Sequence, residues 1–134
     1  MRVLVLEPGY CPYIATFHNF DDAAKQVIDG THEVSLPFDN NVIALVSSKD
    51  QSGLKHNRCI NENQFVNGRA MICGWDGQRV RGLTKEQADR YYRKYLYPEK
   101  IEDSPTTQMI VPCMTPRIKP KDERLGKKPN WLER

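Results

Sequence analysis

The stretch "NFDDAAKQVIDGTHEVSLPFDNNVIALVS", Asn19 to Ser47, decides the fold. In its first part Phe20, Ala23, Ala24, Val27 and Ile28 recur at i, i+3, i+4, i+7 and i+8, which is one face of a helix. Asn19 or Asp21 can cap its N-terminus, and Gly30 can take the left-handed position that ends it. A helix of about ten residues is marginal alone, so it must be held by packing. The pattern then changes. Thr31–Pro37 and Asn41–Ser47 read as strands, and Asp39, Asn40 and Asn41 between them read as a hairpin turn, because Asn tolerates positive φ.

Working outward, Arg2–Glu7 (RVLVLE) is apolar and β-branched, and Pro8-Gly9 stops it. Tyr13–His18 can pair back on it. Beyond a polar turn at Lys49–Gly53 lies "GLKHNRCINEN", Gly53 to Asn63, which reads as a polar connection rather than a strand. Gly68–Trp75 is a further strand, closed by the turn signal Asp76-Gly77, with a short return at Gln78–Arg81. Thr84–Leu96 is a second helix. Thr84 and Gln87 fit a capping box, and Ala88, Tyr91, Tyr92 and Tyr95 make its apolar stripe.

The order β-β-α-β-β-β-α predicts an α+β domain over residues 1–97: an antiparallel or mixed sheet of about five strands with both helices on one face. Residues 98–134 hold six of the nine prolines and read as an extended, basic C-terminal tail. Within it "TTQMIVPCM" is apolar enough to lie along the domain or add an edge strand, and Trp131 is a large apolar group that an idle tail would not need.

The chain of 134 residues carries a net charge of +3 and has a mean hydropathy of −0.67. Residues 1–116 hold 13 Lys+Arg against 14 Asp+Glu, whereas residues 117–134 hold 7 against 3. The folded part is close to neutral, which argues against a uniformly basic nucleic-acid binder. No apolar run is long enough for a membrane helix, and the first strand is too short and too acidic for a signal peptide, so a cytoplasmic protein is expected. Cys11, Cys59, Cys73 and Cys113 follow no zinc spacing and are expected as free thiols, Cys73 in the core.

The constellations for chemistry are sparse. Cys59 and His56 stand three apart, but nucleophile and base are ordinarily brought together by the fold, so a half-buried Cys59 beside an exposed His56 is the simpler expectation. His18, His32 and His56 form no HxH or HExxH pair, and no phosphate-binding glycine motif occurs; no metal and no cofactor are expected. "RYYRKYLY" interleaves Tyr with Arg and Lys, a pattern that can hold single strands but also describes a core stripe beside a solvated basic face. Asn57 and Arg58 supply a planar amide and a guanidinium fork that can read a carboxylate, a phosphate or a partner backbone; alternatively they shape the segment, with Arg58 paired to a local carboxylate such as Glu62.

"LEP", "VIDGTHEVSLP", "NVIALVSSKDQSGLKHNR" and "GLTKEQADRYY" follow one another in this order. In that order and spacing the chain resembles, over about residues 1–96, the family catalogued as domain of unknown function 3846. Gly53 with Asn57-Arg58, and the Leu83-Thr84 helix start, carry most of the resemblance. "GYCPYIATFHN" is bulkier than the family's usual start, and the tail lies outside it. The resemblance implies a phage or mobile-element setting and a counter-defence role, with no catalytic residues to transfer.

The expectation is therefore a non-enzymatic interaction protein that binds and inhibits a host defence component, its partner a host or phage protein. The alternative is a nucleotide- or nucleic-acid-binding module. The contact residues expected are Asn57, Arg58, Arg69, Arg90, Arg93, Lys94 and Trp131, with a homodimer through Gln108–Val111 as a further option.

Overall fold

The computed structural model describes residues 1–103 and 107–126. Within them the chain runs β1 (Arg2–Leu6), β2 (Tyr13–Thr16), α1 (Phe20–Val27), β3 (His32–Ser35), β4 (Ile43–Ser48), β5 (His56–Asn61) and β6 (Gln64–Asn67). It continues as β7 (Ala70–Trp75), β8 (Val80–Arg81), α2 (Lys85–Lys94), β9 (Glu99–Asp103) and β10 (Gln108–Pro112), then a 3-10 turn at Lys121–Glu123. The fold is α+β. One antiparallel sheet of six strands has the order β2-β1-β7-β4-β3, with β8 on β7, and two separate hairpins, β5–β6 and β9–β10, stand apart from it.

The central strands explain the layering. β1, β4 and β7 are apolar at successive positions, so neither of their faces can be left to water. Val3 and Val5 point to one side with Val46, Met71 and Cys73, where α1 covers them with Ala23, Ala24 and Val27. Leu4 and Leu6 point to the other with Ile43, Leu45 and Ile72, where α2 covers them with Ala88, Tyr91 and Tyr95, helped by Ile60 and Val66 of the β5–β6 hairpin. The helices thus lie on opposite faces, not on one. Each fully buried Val, Leu or Ile in these two layers contributes roughly 1.5–3 kcal/mol.

Local side-chain chemistry sets the helix starts. Asn19 caps α1, accepting from the Asp22 amide at 2.8 Å, and the Thr84–Gln87 capping box of α2 is complete. Gly30 has φ +74° but does not end α1; the helix closes at Ile28, in extended conformation, two residues earlier. The β3–β4 turn uses a different device from positive φ at Asn. No non-glycine residue described has positive φ, and the Asn40 side chain instead accepts from the Val42 amide at 3.1 Å.

"GLKHNRCINEN" contains a strand where a connection was expected. β5 pairs with β6 through two register shifts, with Asn57 and Ile60 as the extra residues. Those bulges break the two-residue alternation, so His56, Asn57 and Arg58 are all buried in succession. The bulges explain why the segment does not look like a strand in one dimension.

The described part of the tail is more than an extended arm. β9 and β10 form their own hairpin, packed beside β5, rather than adding an edge to the main sheet. The following residues return to the domain. Arg117 bridges Tyr10, with Cys11 N donating to Arg117 O at 2.8 Å, and Leu125 packs on the α1 side of the core. Tyr10 is held between the Arg117 guanidinium at 4.6 Å and the Lys119 ammonium at 4.5 Å. The bulky "GYCPY" is the floor on which the C-terminal segment rests.

β7 and β8 meet closely at Gly74, where an added Cβ would lie 2.6 Å from the Gly82 carbonyl oxygen. Gly74→Ala should therefore force the backbone apart and lower stability by about 1–3 kcal/mol. Urea unfolding would read this as a lower midpoint at unchanged slope; an unchanged midpoint would contradict the close approach.

Candidate functional site

Arg58 has 1% of its surface exposed and Asn57 has none. The Asn57 amide donates to Leu6 O at 2.9 Å and to Gly68 O at 2.8 Å, and its own oxygen accepts from Arg58 Nε at 2.8 Å. Arg58 Nη2 donates to Glu7 O at 3.1 Å and to Tyr10 O at 2.7 Å, and Nη1 donates to Tyr95 O. One guanidinium thus joins the end of β1, the turn after it and the C-terminus of α2. Among the described residues no carboxylate binds it directly; the expected partner Glu62 is not among its contacts. Burial lowers the Arg58 pKa to about 10, with Cys11 and Glu99 pulling weakly the other way, so it is still charged at neutral pH. The carbonyl oxygens and the last turn of α2 supply the negative end of the dipoles that such a charge needs.

The neighbouring cleft, about 320 Å³, lies between β5 and the β9–β10 hairpin, and His56, Glu99, Lys55, Lys100, Ile101 and Cys113 line it. His56 is the buried member of the His56–Cys59 pair and Cys59 the exposed one, the reverse of expectation. Both imidazole nitrogens face oxygen atoms: Asn67 Oδ1 lies 3.2 Å from Nδ1, and Glu99 Oε1 lies 3.0 Å from Nε2. The Cys59 thiol is raised, first by desolvation, then by its hydrogen bond to the Glu99 carboxylate and that group's charge. A nucleophilic cysteine needs the opposite shift. Glu99 thus ties the hairpin to β5 and discourages a Cys59 thiolate.

The other expected contact residues are not gathered at this point. Arg69 is pinned under α1, donating from Nε to Val27 O at 2.8 Å and from Nη2 to Asp29 at 3.2 Å, across the sheet from Arg58. Arg90, Arg93 and Lys94 are exposed on α2. Arg90 and Lys94 line a polar cleft of about 380 Å³ with Asp39, Asn40 and Asn41, and the Lys94 ammonium sits 5.5 Å from the Tyr95 ring. Trp131 lies outside the described residues. Among the described residues no group of three or more His, Cys, Asp or Glu could hold a metal ion, and no helix is long and apolar enough to cross a membrane.

Glu7 and Glu99 are site residues that sequence reasoning passed over. Glu7 is buried, accepting from Tyr13 Oη at 2.7 Å and pairing with Lys119 Nζ at 3.4 Å. Nothing local marks Glu99, whose partner His56 lies far along the chain; Glu7 is different. The acidic end of "RVLVLE" was the available signal: a charge closing a buried strand needs a partner.

Arg58→Met should take the Arg58 donor from the carbonyls of Tyr10 and Tyr95, and one of two donors from Glu7 O, which keeps the Tyr10 amide at 3.2 Å. Each such loss costs roughly 1–3 kcal/mol, so this variant should unfold at a much lower urea midpoint. Arg58→Lys should recover only part of the loss, because one ammonium cannot reproduce the fork. A midpoint unchanged in Arg58→Met would contradict this role.

No curated protein and no solved structure matches the chain. The model of one family, described as a domain of unknown function (DUF3846), matches residues 1–96, which take in every residue of the main sheet, both helices and the Asn57–Arg58 pair. By that match over most of its length, the chain belongs to the DUF3846 family.

Proposed function

We propose that this chain is a non-enzymatic interaction protein that holds a partner protein through its C-terminal hairpin. One observation carries the reading. Among the described residues, six of the eleven exposed large apolar residues, Tyr97, Ile101, Met109, Ile110, Met114 and Ile118, lie beyond residue 96, where the family match stops. A platform of 96 residues matched by the family model thus bears an appended segment with exposed apolar residues on both hairpin faces, and that segment is anchored by Glu99 on His56 and by Lys119 on Glu7. Exposed apolar residues gathered in this way mark contact surfaces, and Met and Ile side chains suit the desolvated centre of an interface. The phage or mobile-element setting implied by the resemblance makes a host defence component the partner class, with inhibition by occupancy as the mode.

The polar cleft at Arg90 and Lys94 favours the second reading, a nucleotide or nucleic-acid contact. Arg90, Arg93 and Lys94 enter none of the ion pairs among the described residues, so their charge is available to phosphates. Phosphate contacts would make affinity fall steeply with salt.

Affinity capture from host lysate, compared between the native chain and Met109→Glu/Met114→Glu, separates these readings. A specific protein partner should be recovered by the native chain and lost at least about tenfold by the variant, a change of roughly 1.4 kcal/mol. Recovery of no specific protein, or equal recovery by both chains, would contradict the first reading. Salt-sensitive binding of single strands, lost on Arg90→Glu/Lys94→Glu, would support the second.

A further inference from the structure

Among the described residues, strand β10 has one edge paired and one edge unpaired. Cys113 N donates to Pro98 O at 2.7 Å, which extends the β9–β10 ladder and fixes its phase. Backbone groups alternate in direction along a strand. The amides of Met109 and Val111 therefore point to β9, while the N–H and C=O of Gln108 and Ile110 and the C=O of Pro112 point outward. β9 is the strand on the domain side, through Glu99 and its packing beside β5. Among the described residues, no strand pairs with the outer edge of β10.

An edge of this kind is ordinarily blunted by lysine or other charge. This one is not. Gln108–Met114 contain no charged residue, whereas β9 reads EKIED. Its one blunting feature is Pro112, which lacks the outward N–H.

We propose that the outer edge of β10 pairs with the same edge of a second copy of this chain, antiparallel about a two-fold axis at Ile110. This goes beyond the partner reading, which uses the side chains of the hairpin and its flanks rather than this edge. The register is set by self-complementarity. With Ile110 opposite Ile110 of the second copy, each donates its amide to the other. Gln108 N–H then meets the Pro112 carbonyl of the second copy. The only group that Pro112 fails to satisfy is the Gln108 carbonyl, and that oxygen already accepts from Thr107 Oγ1 at 3.3 Å. An unrelated strand would leave its own carbonyl unpaired there.

The side chains agree. Ile101 is opposite Ile110 in the hairpin, so a four-stranded sheet would carry an unbroken Ile101–Ile110–Ile110–Ile101 row on one face. On the other face Met109 would meet Val111 of the second copy in a close, non-hydrogen-bonded pair. Glu102 flanks this pair on one side and Lys100 of the second copy on the other, so the row closes with opposite charges. The interface is isologous and closes after two subunits. It is also short, so a concentration-dependent dimer is expected rather than a permanent one.

The test uses the full chain. Sedimentation across a concentration series should show the mass doubling, and the Ile110 amide should exchange its hydrogen at least about tenfold more slowly at the dimeric end, since its only partner lies in the second copy. Ile110→Lys places like charges across the axis without touching the β9 ladder, and should remain monomeric at every concentration. A native chain that stays monomeric throughout, or an Ile110→Lys variant that dimerises undiminished, would overturn the proposal. So would an Ile110 amide protected equally at all concentrations with monomer mass, which would place another segment of the same chain on the edge. An amide protected only when a captured partner is bound would assign the edge to that partner and overturn it likewise. Gln108→Pro removes an outward amide without touching the apolar contact residues, so dimer loss there with partner capture intact would leave the partner reading standing; partner capture unaffected by Met114→Glu, with the dimer intact, would fail the partner reading alone.

Discussion

The guanidinium of Arg58 sits where three separately folded parts of the chain end. The last residues of β1, the turn at Tyr10 and the final turn of α2 each direct a carbonyl inward, and these oxygens face a region closed to water. Losing the Arg58 donor at these carbonyls would be a heavy cost for a domain whose net stability is on the order of 5–15 kcal/mol. Arg58 supplies donors in a planar fork, and Asn57 orients that fork while closing Leu6 and Gly68. A single short strand, β5, therefore sets how the main sheet, α2 and the chain's first turn meet.

The C-terminal segment depends on the same junction. Glu7 contributes its backbone carbonyl to Arg58 and its carboxylate to Tyr13 and Lys119. Tyr10 contributes its carbonyl to Arg58 and its ring to Arg117 and Lys119. His56, two residues before Arg58, takes Glu99 at the root of the hairpin. The segment outside the family match is thus attached by residues that stand beside, or within, the structural junction of the family domain. An apolar surface added at this place is held in a fixed orientation without altering the sheet, and orientation is what a contact surface requires to keep its ordering cost low.

Much of this was legible in one dimension. The period of Phe20 to Ile28, the capping box at Thr84 and the Asp76-Gly77 turn each depend on neighbours within four residues, and each was read correctly. The placement of the two helices depends on a different feature: VLVL, IALV and AMIC are apolar without alternation, and such runs mark strands covered on both sides. Strands of this kind need a helix on each face, which is where α1 and α2 lie. β5 was hidden because its two bulges turn Asn57 and Arg58 inward together, and a strand with consecutive buried polar residues has the composition of a loop. The same burial changes what Asn57 and Arg58 do: groups that look like ligand readers are spent on the chain's own carbonyls. Glu99 and Lys119 were beyond reach because a tertiary ion pair leaves no local pattern.

The account turns on Arg58 being a closed internal junction rather than a surface reader, and the exchange of its own Nε hydrogen tests that most directly. In an NMR exchange series this proton should be protected to nearly the level of the slowest amides of β4 and β7, because releasing it requires the junction to open. Exchange as fast as that of the exposed Arg93 guanidinium would show Arg58 to be accessible in the native state and would contradict the account.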